Sequence, residues 1–87
     1  MPLIEKELTV MNRQGLHARP AATFVQIASR YDSKIMVKKD TETVNGKSIM
    51  GILMLGAHFN SKITLVADGE DAAEAINELE GFLNKNE

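Results

Sequence analysis

The sequence predicts an α+β domain in the order βαββαβα, with a four-stranded antiparallel sheet covered by three helices on one face. Three observations support this fold class. Segments with β character alternate apolar and polar side chains, so each strand buries one face only. Between them, apolar residues recur at three- and four-residue spacing, which is typical of amphipathic helices. With 87 residues, 44% of them hydrophobic, the chain supports one core, so we expect residues 1–87 to form a single domain.

The first strand is expected over residues 3–10, which alternate loosely, and the polar segment 12–15 then turns the chain at a glycine. A helix follows from Ala18. Proline is tolerated only in the first helical turn, so Pro20 places the start of this helix within a few residues of His17. The expected buried stripe of the helix consists of Ala21, Phe24, Val25, Ala28 and Tyr31.

A hairpin is expected after this helix, which residues 31–33 close. Residues 34–38 form a short β-rich run bounded by lysines, and we interpret it as the second strand. A polar turn over residues 39–42 leads to a brief third strand over residues 43–45.

A short second helix is expected between Ser48, a preferred N-cap residue, and Gly56, which suits a helix C-terminus. Gly51 lies inside this segment, and a buried strand is the alternative.

The last two elements are a fourth strand over residues 62–67 and a closing helix that reaches about residue 85. A turn over residues 57–61 precedes the strand, and the turn signal Asp68-Gly69 follows it. The closing helix has apolar residues at helical spacing. Acidic side chains suit a helix N-terminus, and this one begins among Glu70, Asp71 and Glu74.

Composition excludes several classes of function. The formal net charge of −2 argues against general binding to nucleic acid or anionic membranes. There is no cysteine, and therefore no disulfide, thiolate metal site or cysteine nucleophile. The longest apolar run is far shorter than a membrane helix, and the N-terminus lacks the pattern of a secretory signal. We therefore expect a cytoplasmic protein with no membrane or nucleic-acid partner, and a monomer by default.

The segment Gly15-Leu16-His17-Ala18-Arg19-Pro20 is the candidate functional site. A helix N-terminus favours a negatively charged group, and Arg19 adds a cation that can pair with phosphate oxygens. Imidazole, with an unperturbed pKa of about 6.5, is largely neutral and nucleophilic at neutral pH. A structural histidine is the alternative. A metal site is weakly supported, because His58 is the only other histidine and there is no cysteine. No nucleophile elbow indicates a hydrolase.

The segment from Gly15 to Ala21, followed by Val44-Asn45-Gly46-Lys47-Ser48-Ile49-Met50-Gly51, resembles the HPr phosphocarrier family of the bacterial sugar phosphotransferase system. The likeness covers nearly the whole chain. It implies an open-faced β-sandwich and a stoichiometric carrier rather than an enzyme, without cofactor or metal. By resemblance, His17 accepts a phosphoryl group on Nδ1 from enzyme I, which phosphoenolpyruvate phosphorylates, and passes it to EIIA domains of sugar permeases. Arg19 would pair with the phosphoryl oxygens, and Pro20 would fix the first turn.

The same resemblance implies a regulatory serine and a docking surface. Ser48 matches the serine that HPr kinase/phosphorylase modifies in relatives, besides being an N-cap. Ile52 and Leu55 can serve the core, which leaves the opposite side of the short helix for partners. The expected partner-binding residues are Ala18, Arg19, Ala22, Lys47, Ile49, Met50 and Leu53.

Some residues depart from the family pattern and leave the choice of partner open. They are Gln14, Gly46, Gln26 and Ser29. His58 is expected to be a loop residue without function. Three alternatives remain: a nitrogen-type regulatory paralogue, a carrier in an incomplete system, and a small βα binding module with a structural histidine. The sugars served are not encoded in this chain.

Overall fold

Four strands and three helices follow one another in the order βαββαβα in the computed structural model, which describes residues 2–85. The expected order is confirmed. The elements are β1 (Leu3–Thr9), α1 (Ala18–Ala28), β2 (Lys34–Lys39), β3 (Glu42–Asn45), α2 (Ile49–Leu55), β4 (Lys62–Asp68) and α3 (Ala72–Leu83).

The strands form one antiparallel sheet in the order β1-β4-β2-β3. Its register places the apolar parity of each strand on the same face: Ala67 of β4 lies between Ile4 of β1 and Ile35 of β2. Because the side-chain period is two, this register keeps the alternating polar residues on the opposite face. The inward-facing residues of β2 and β4 are buried, whereas the outer face is uncovered and mainly polar, with the apolar pair Met36 and Val66 on it. The sheet is therefore open on one side, as expected.

The helices pack on the other face and on one another. α3 lies against β1 and β4, α1 packs between α2 and α3, and α2 packs on β3. Phe24 of α1 and Leu79 of α3 are fully buried in the shared core. Among residues 2–85, no helix has both the length and the apolar character that crossing a bilayer requires.

Several predicted boundaries are wrong. β1 ends at Thr9 rather than residue 10, β4 extends to Asp68, and α3 ends at Leu83 rather than near residue 85. α1 ends at Ala28, with Ser29 as its C-cap, rather than near residue 31. The reason is that the N–H groups of Arg30 and Tyr31 donate to carbonyls only three residues back, at 3.1 and 3.2 Å. The hairpin turn has two residues instead of four. Asp40 adopts a left-handed φ of 56°, which lets Lys39 pair directly with Glu42 and extends both strands.

Asp71 lies at the start of α3, but its carboxylate makes no capping bond to that helix. It accepts hydrogen bonds from the N–H groups of Asp32 and Ser33, at 2.9 and 3.0 Å, and from the Ser33 hydroxyl. The Ser33 hydroxyl is the main reason that the pKa of Asp71 lies below its ordinary value, with the Asp32 N–H next. This carboxylate therefore fastens the beginning of β2 to the beginning of α3.

α2 is a helix, so the alternative of a buried strand is wrong. The Ser48 hydroxyl accepts from the Gly51 N–H at 3.0 Å, and Gly56 caps the other end with a φ of 66°. Gly51 lies where the helix approaches β3, and a Cβ there would lie 3.3 Å from the Cβ of Val44. The glycine inside the helix thus allows close packing on the sheet edge.

Candidate functional site

His17 occupies the N-cap position of α1 with extended backbone angles, φ −117° and ψ 156°. Its side chain makes no capping hydrogen bond and is exposed. The residue before it, Leu16, is fully buried, and the Leu16 N–H donates to the carbonyl of Ala57 at 2.8 Å. A buried anchor therefore holds the backbone while the imidazole projects into solvent.

Gly15 lets the His17 loop dock against the segment that follows α2. Its φ is +68°, and a Cβ at this position would lie 2.6 Å from the carbonyl oxygen of Ala57 and 2.9 Å from the Cα of His58. Both obstacles are backbone atoms, which cannot move aside as a flexible side chain would. Glycine is therefore required here both by backbone angle and by space.

Asn12 ties the same loop to the end of α3. Its buried side-chain amide donates to the carbonyls of Phe82 and Lys85, at 3.1 and 3.2 Å, and the Met11 N–H donates to Leu83 at 2.8 Å. The backbone carbonyl of Asn12 in turn accepts from the Gly15 N–H at 2.9 Å, which closes the turn. Sequence reasoning missed this anchor, because a polar loop residue gives no sign of a distant carbonyl partner.

Ala18 adopts a positive φ of 45° directly after His17. For a residue with a Cβ, such a conformation costs about 1–2 kcal/mol and persists only when the surroundings enforce it. Here Leu16 is buried on one side, and Pro20 fixes its own backbone in the first turn of α1 on the other. This backbone conformation lies between His17 and Arg19, whose side chains are both exposed.

Within residues 2–85, the Arg19 guanidinium has no carboxylate partner. No acidic residue occurs in residues 11–31 or 43–67, two of the stretches that build this region. An exposed imidazole beside an unneutralised guanidinium can accept a negatively charged group from outside and stabilise it there.

Sequence reasoning did not predict that His58 lies beside His17. His58 was expected to be a loop residue only, and it does lie in the loop between α2 and β4, but its ring centroid is 5.6 Å from that of His17, with the planes tilted by 39°. The two histidines are 41 positions apart in the chain. Their proximity depends on the docking of two loops, which no local pattern predicts.

The exposed face of α2 is apolar. Met50 is 63% exposed, Ile49 and Leu53 are 40% and 37% exposed, and Ile52 and Leu55 are buried. The surface extends to Met54 and Phe59, which the prediction did not include. Since α2 packs beside α1, and Phe59 follows His58 directly, this surface adjoins the histidines. We call the exposed side chains of Ile49, Met50, Leu53, Met54 and Phe59 the apolar patch.

The remaining predicted partner-binding residues lie in different environments. Ala18 is exposed and Ala22 is half-buried. Lys47 is also half-buried, and its ammonium donates to the carbonyl of Tyr31 at 2.6 Å. That bond joins the loop before α2 to the chain beyond the end of α1, so Lys47 supports the arrangement of the two helices.

Comparison with known proteins gives a consistent result. The family model described as PTS HPr component phosphorylation site matches residues 4–85. A phosphocarrier protein HPr of Treponema pallidum is 49% identical over 86 residues, covering 98% of each chain. An HPr-like protein Crh of Halalkalibacterium halodurans is 46% identical, covering 95% of this chain and 99% of the relative.

Solved structures agree with the sequence comparisons. The crystal structure of a phosphocarrier protein HPr from Bacillus anthracis superposes with a TM-score of 0.91 at 44% identity, covering 93% of this chain and 96% of that one. An HPr dimer from Thermoanaerobacter tengcongensis superposes with a TM-score of 0.70 at 51% identity, covering 85% and 87%.

Proposed function

Because the chain belongs to the HPr phosphocarrier family, we propose that it accepts a phosphoryl group on His17 from phospho-enzyme I and donates it to EIIA domains of sugar permeases. It is a stoichiometric carrier, not an enzyme with turnover of its own, and it works in the cytoplasm. The alternative within the family is a regulatory paralogue, which the similarity to an HPr-like protein Crh favours.

The observation that supports the carrier function is the exposed His17 ring, free of any capping bond, on a loop anchored by Leu16 and Asn12. In the transfer step, the lone pair of His17 Nδ1 forms a P–N bond as the bond between phosphorus and the donor breaks, and the donor keeps that electron pair. Positioning and charge stabilisation supply most of what phosphoryl transfer needs, and Arg19 provides the charge. The exposed ring can then present the group to the next acceptor.

The apolar patch is the proposed docking surface for enzyme I and EIIA. Met50 and Leu53 are large apolar side chains with exposed surface, and α1, which carries Ala18 and Arg19 in its first turn, packs on α2. Patches of this type, apolar at the centre with a charged rim, bind other proteins.

Ser48 is the proposed site of regulatory phosphorylation by HPr kinase/phosphorylase. Its hydroxyl already caps α2, and phosphate oxygens can accept from the same N–H groups, so the helix survives modification. About two negative charges beside Ile49 and Met50 would then oppose apolar docking. We also propose that the carrier is a monomer, which light scattering after gel filtration tests directly.

The carrier function is tested with labelled phosphoenolpyruvate and enzyme I. We expect one acid-labile, base-stable phosphoryl group on His17, which EIIA then removes. His17→Ala should abolish labelling while changing the stability by less than about 0.5 kcal/mol, because the side chain is exposed. Absence of label while enzyme I itself becomes phosphorylated contradicts the carrier function and leaves the regulatory alternative.

A further inference from the structure

The backbone that carries the second imidazole beside His17 is held in place by hydrogen bonds and packing. The His58 N–H donates to the Ser61 hydroxyl at 2.9 Å, and the His58 carbonyl accepts from the Ser61 N–H at 3.0 Å. Gly15 packs against the Cα of His58, and the Asn60 N–H donates to Val10 at the end of the first strand at 2.7 Å. The loop is therefore held from three sides, and its histidine is directed toward His17.

The ring geometry leaves room for a shared anion. The centroids lie 5.6 Å apart and the planes are tilted by 39°, so the rings are not stacked face to face. A charge-assisted N–H···O bond spans about 2.7–2.9 Å. An oxygen of a group carried on one ring can thus meet a nitrogen of the other.

Among residues 2–85, the charged groups of the surrounding segments are cations. They come from the loop before His17, the start of α1, the start of β4 and the end of the chain near Asn12, while α2 contributes none. These groups are Arg13, Arg19, Lys62 and Lys85. A phosphoryl dianion on His17 would bring negative charge next to the His58 ring and would favour the protonated form of that ring.

We propose that His58 is a second phosphoryl-binding side chain, acting with Arg19. This inference rests on the proposed carrier function. When the phosphoryl group is on His17, a ring N–H of His58 donates to a phosphoryl oxygen, and the His58 ring takes up one proton from solvent. No bond to phosphorus forms at His58. Phosphorylation of His17 and protonation of His58 strengthen each other by the same factor, because binding linkage is reciprocal.

The test uses potassium phosphoramidate, a small reagent that phosphorylates histidine without enzyme I. Imidazole signals of His58 are titrated by NMR in the free and phosphorylated protein. We expect phosphorylation of His17 to tighten proton binding by His58 about fivefold, the contribution of one partly solvated charge-assisted hydrogen bond. Phosphorus NMR should report a single phosphohistidine, on residue 17.

His58→Gln is the second readout. The matched control is Lys62→Gln, which removes one cation from the start of β4, next to the loop that carries His58. At about pH 6, His58→Gln should lower the equilibrium constant for transfer from enzyme I about fivefold. At pH 8.5, where imidazole is neutral, it should change this constant less than about twofold. Lys62→Gln should change it less than about twofold at both pH values, since exposed charges are screened.

Three results overturn the proposal: an unchanged titration of His58 on phosphorylation, an effect of His58→Gln that does not depend on pH, or phosphate on His58 itself. Failure of the carrier function looks different. If only the carrier function is wrong, phosphoramidate phosphorylates His17 but phospho-enzyme I does not. If neither reagent phosphorylates His17, both proposals are wrong.

Discussion

Replacing Gly15 by alanine should destabilise the fold and displace His17, whereas the same change at Gly56 should cost far less. Both glycines have left-handed backbone angles, with φ of +68° and +66°. They differ in the space around them. A Cβ on Gly15 would lie 2.6 Å from the oxygen of Ala57, and a Cβ on Gly56 would meet nothing closer than 4.0 Å. Gly56→Ala therefore measures the backbone penalty alone.

The magnitudes follow from these contacts. A left-handed alanine costs about 1–2 kcal/mol, and the stiffer unfolded chain returns about 0.4–1 kcal/mol, so Gly56→Ala should cost about 1 kcal/mol. Gly15→Ala carries the same penalty and also separates the loops. Separation of the loops weakens the 2.8 Å hydrogen bond from the Leu16 N–H to the Ala57 carbonyl and exposes part of the Leu16 side chain. The total loss of stability should then be about 2–4 kcal/mol.

Urea and thermal unfolding of the wild-type protein and both variants test this comparison. With about 4–8 °C in Tm per kcal/mol for a chain of this size, Gly56→Ala should lower Tm by about 4–8 °C and Gly15→Ala by more than about 10 °C. Gly15→Ala should also weaken the cross-relaxation between the rings of His17 and His58. Equal losses of stability in the two variants would refute the close approach of the loops.

Three further predictions follow from the helices and their connections. Ser48→Ala should cost about 0.5–2 kcal/mol in urea unfolding through loss of the N-cap, yet leave phosphorylation of the acceptor histidine by enzyme I unchanged; a loss of acceptance would contradict a purely capping and regulatory role. Met50→Ala should raise the KM of enzyme I for the carrier with less than about 0.5 kcal/mol effect on stability, whereas the buried Ile52→Ala should cost about 2–5 kcal/mol; an unchanged KM would remove Met50 from the docking surface. Asp71 stabilises the fold at pH values above its ordinary carboxyl pKa and progressively less as the pH falls through its lowered folded pKa, so Asp71→Asn should unfold at lower urea than the wild-type protein at neutral pH and lose this difference in acid; a difference that stays constant as the carboxylate is protonated would refute the role of the ionised Asp71 side chain.

Sequence patterns predicted the elements of this fold because each element contributes its own periodicity. The alternation around Ile63 and Leu65 and the helical spacing of Ala75 and Leu79 depend only on near neighbours. Boundaries were less predictable where a single residue changes the backbone course. Asp40 shortened the expected hairpin turn by adopting a left-handed conformation.

The periodicity of apolar residues does not predict polar contacts between segments that are distant in sequence. The acidic start of α3 suggested that Asp71 serves its own helix, but the carboxylate binds the backbone at Asp32 and Ser33 instead. Likewise, a short loop motif gave no indication that His58 would lie beside His17. Both contacts exist because loops distant in sequence pack together, and a pattern read along one segment does not specify which loop it meets.

The central claim is that His17 is the phosphoryl acceptor, and its most direct test is phosphorus NMR of the protein at alkaline pH after reaction with phosphoenolpyruvate and enzyme I. We predict one phosphohistidine signal of the Nδ1 type, present in the wild-type protein and in His58→Gln and absent from His17→Ala. A signal that persists in His17→Ala, or a phosphoester signal in place of the phosphohistidine, would contradict the claim.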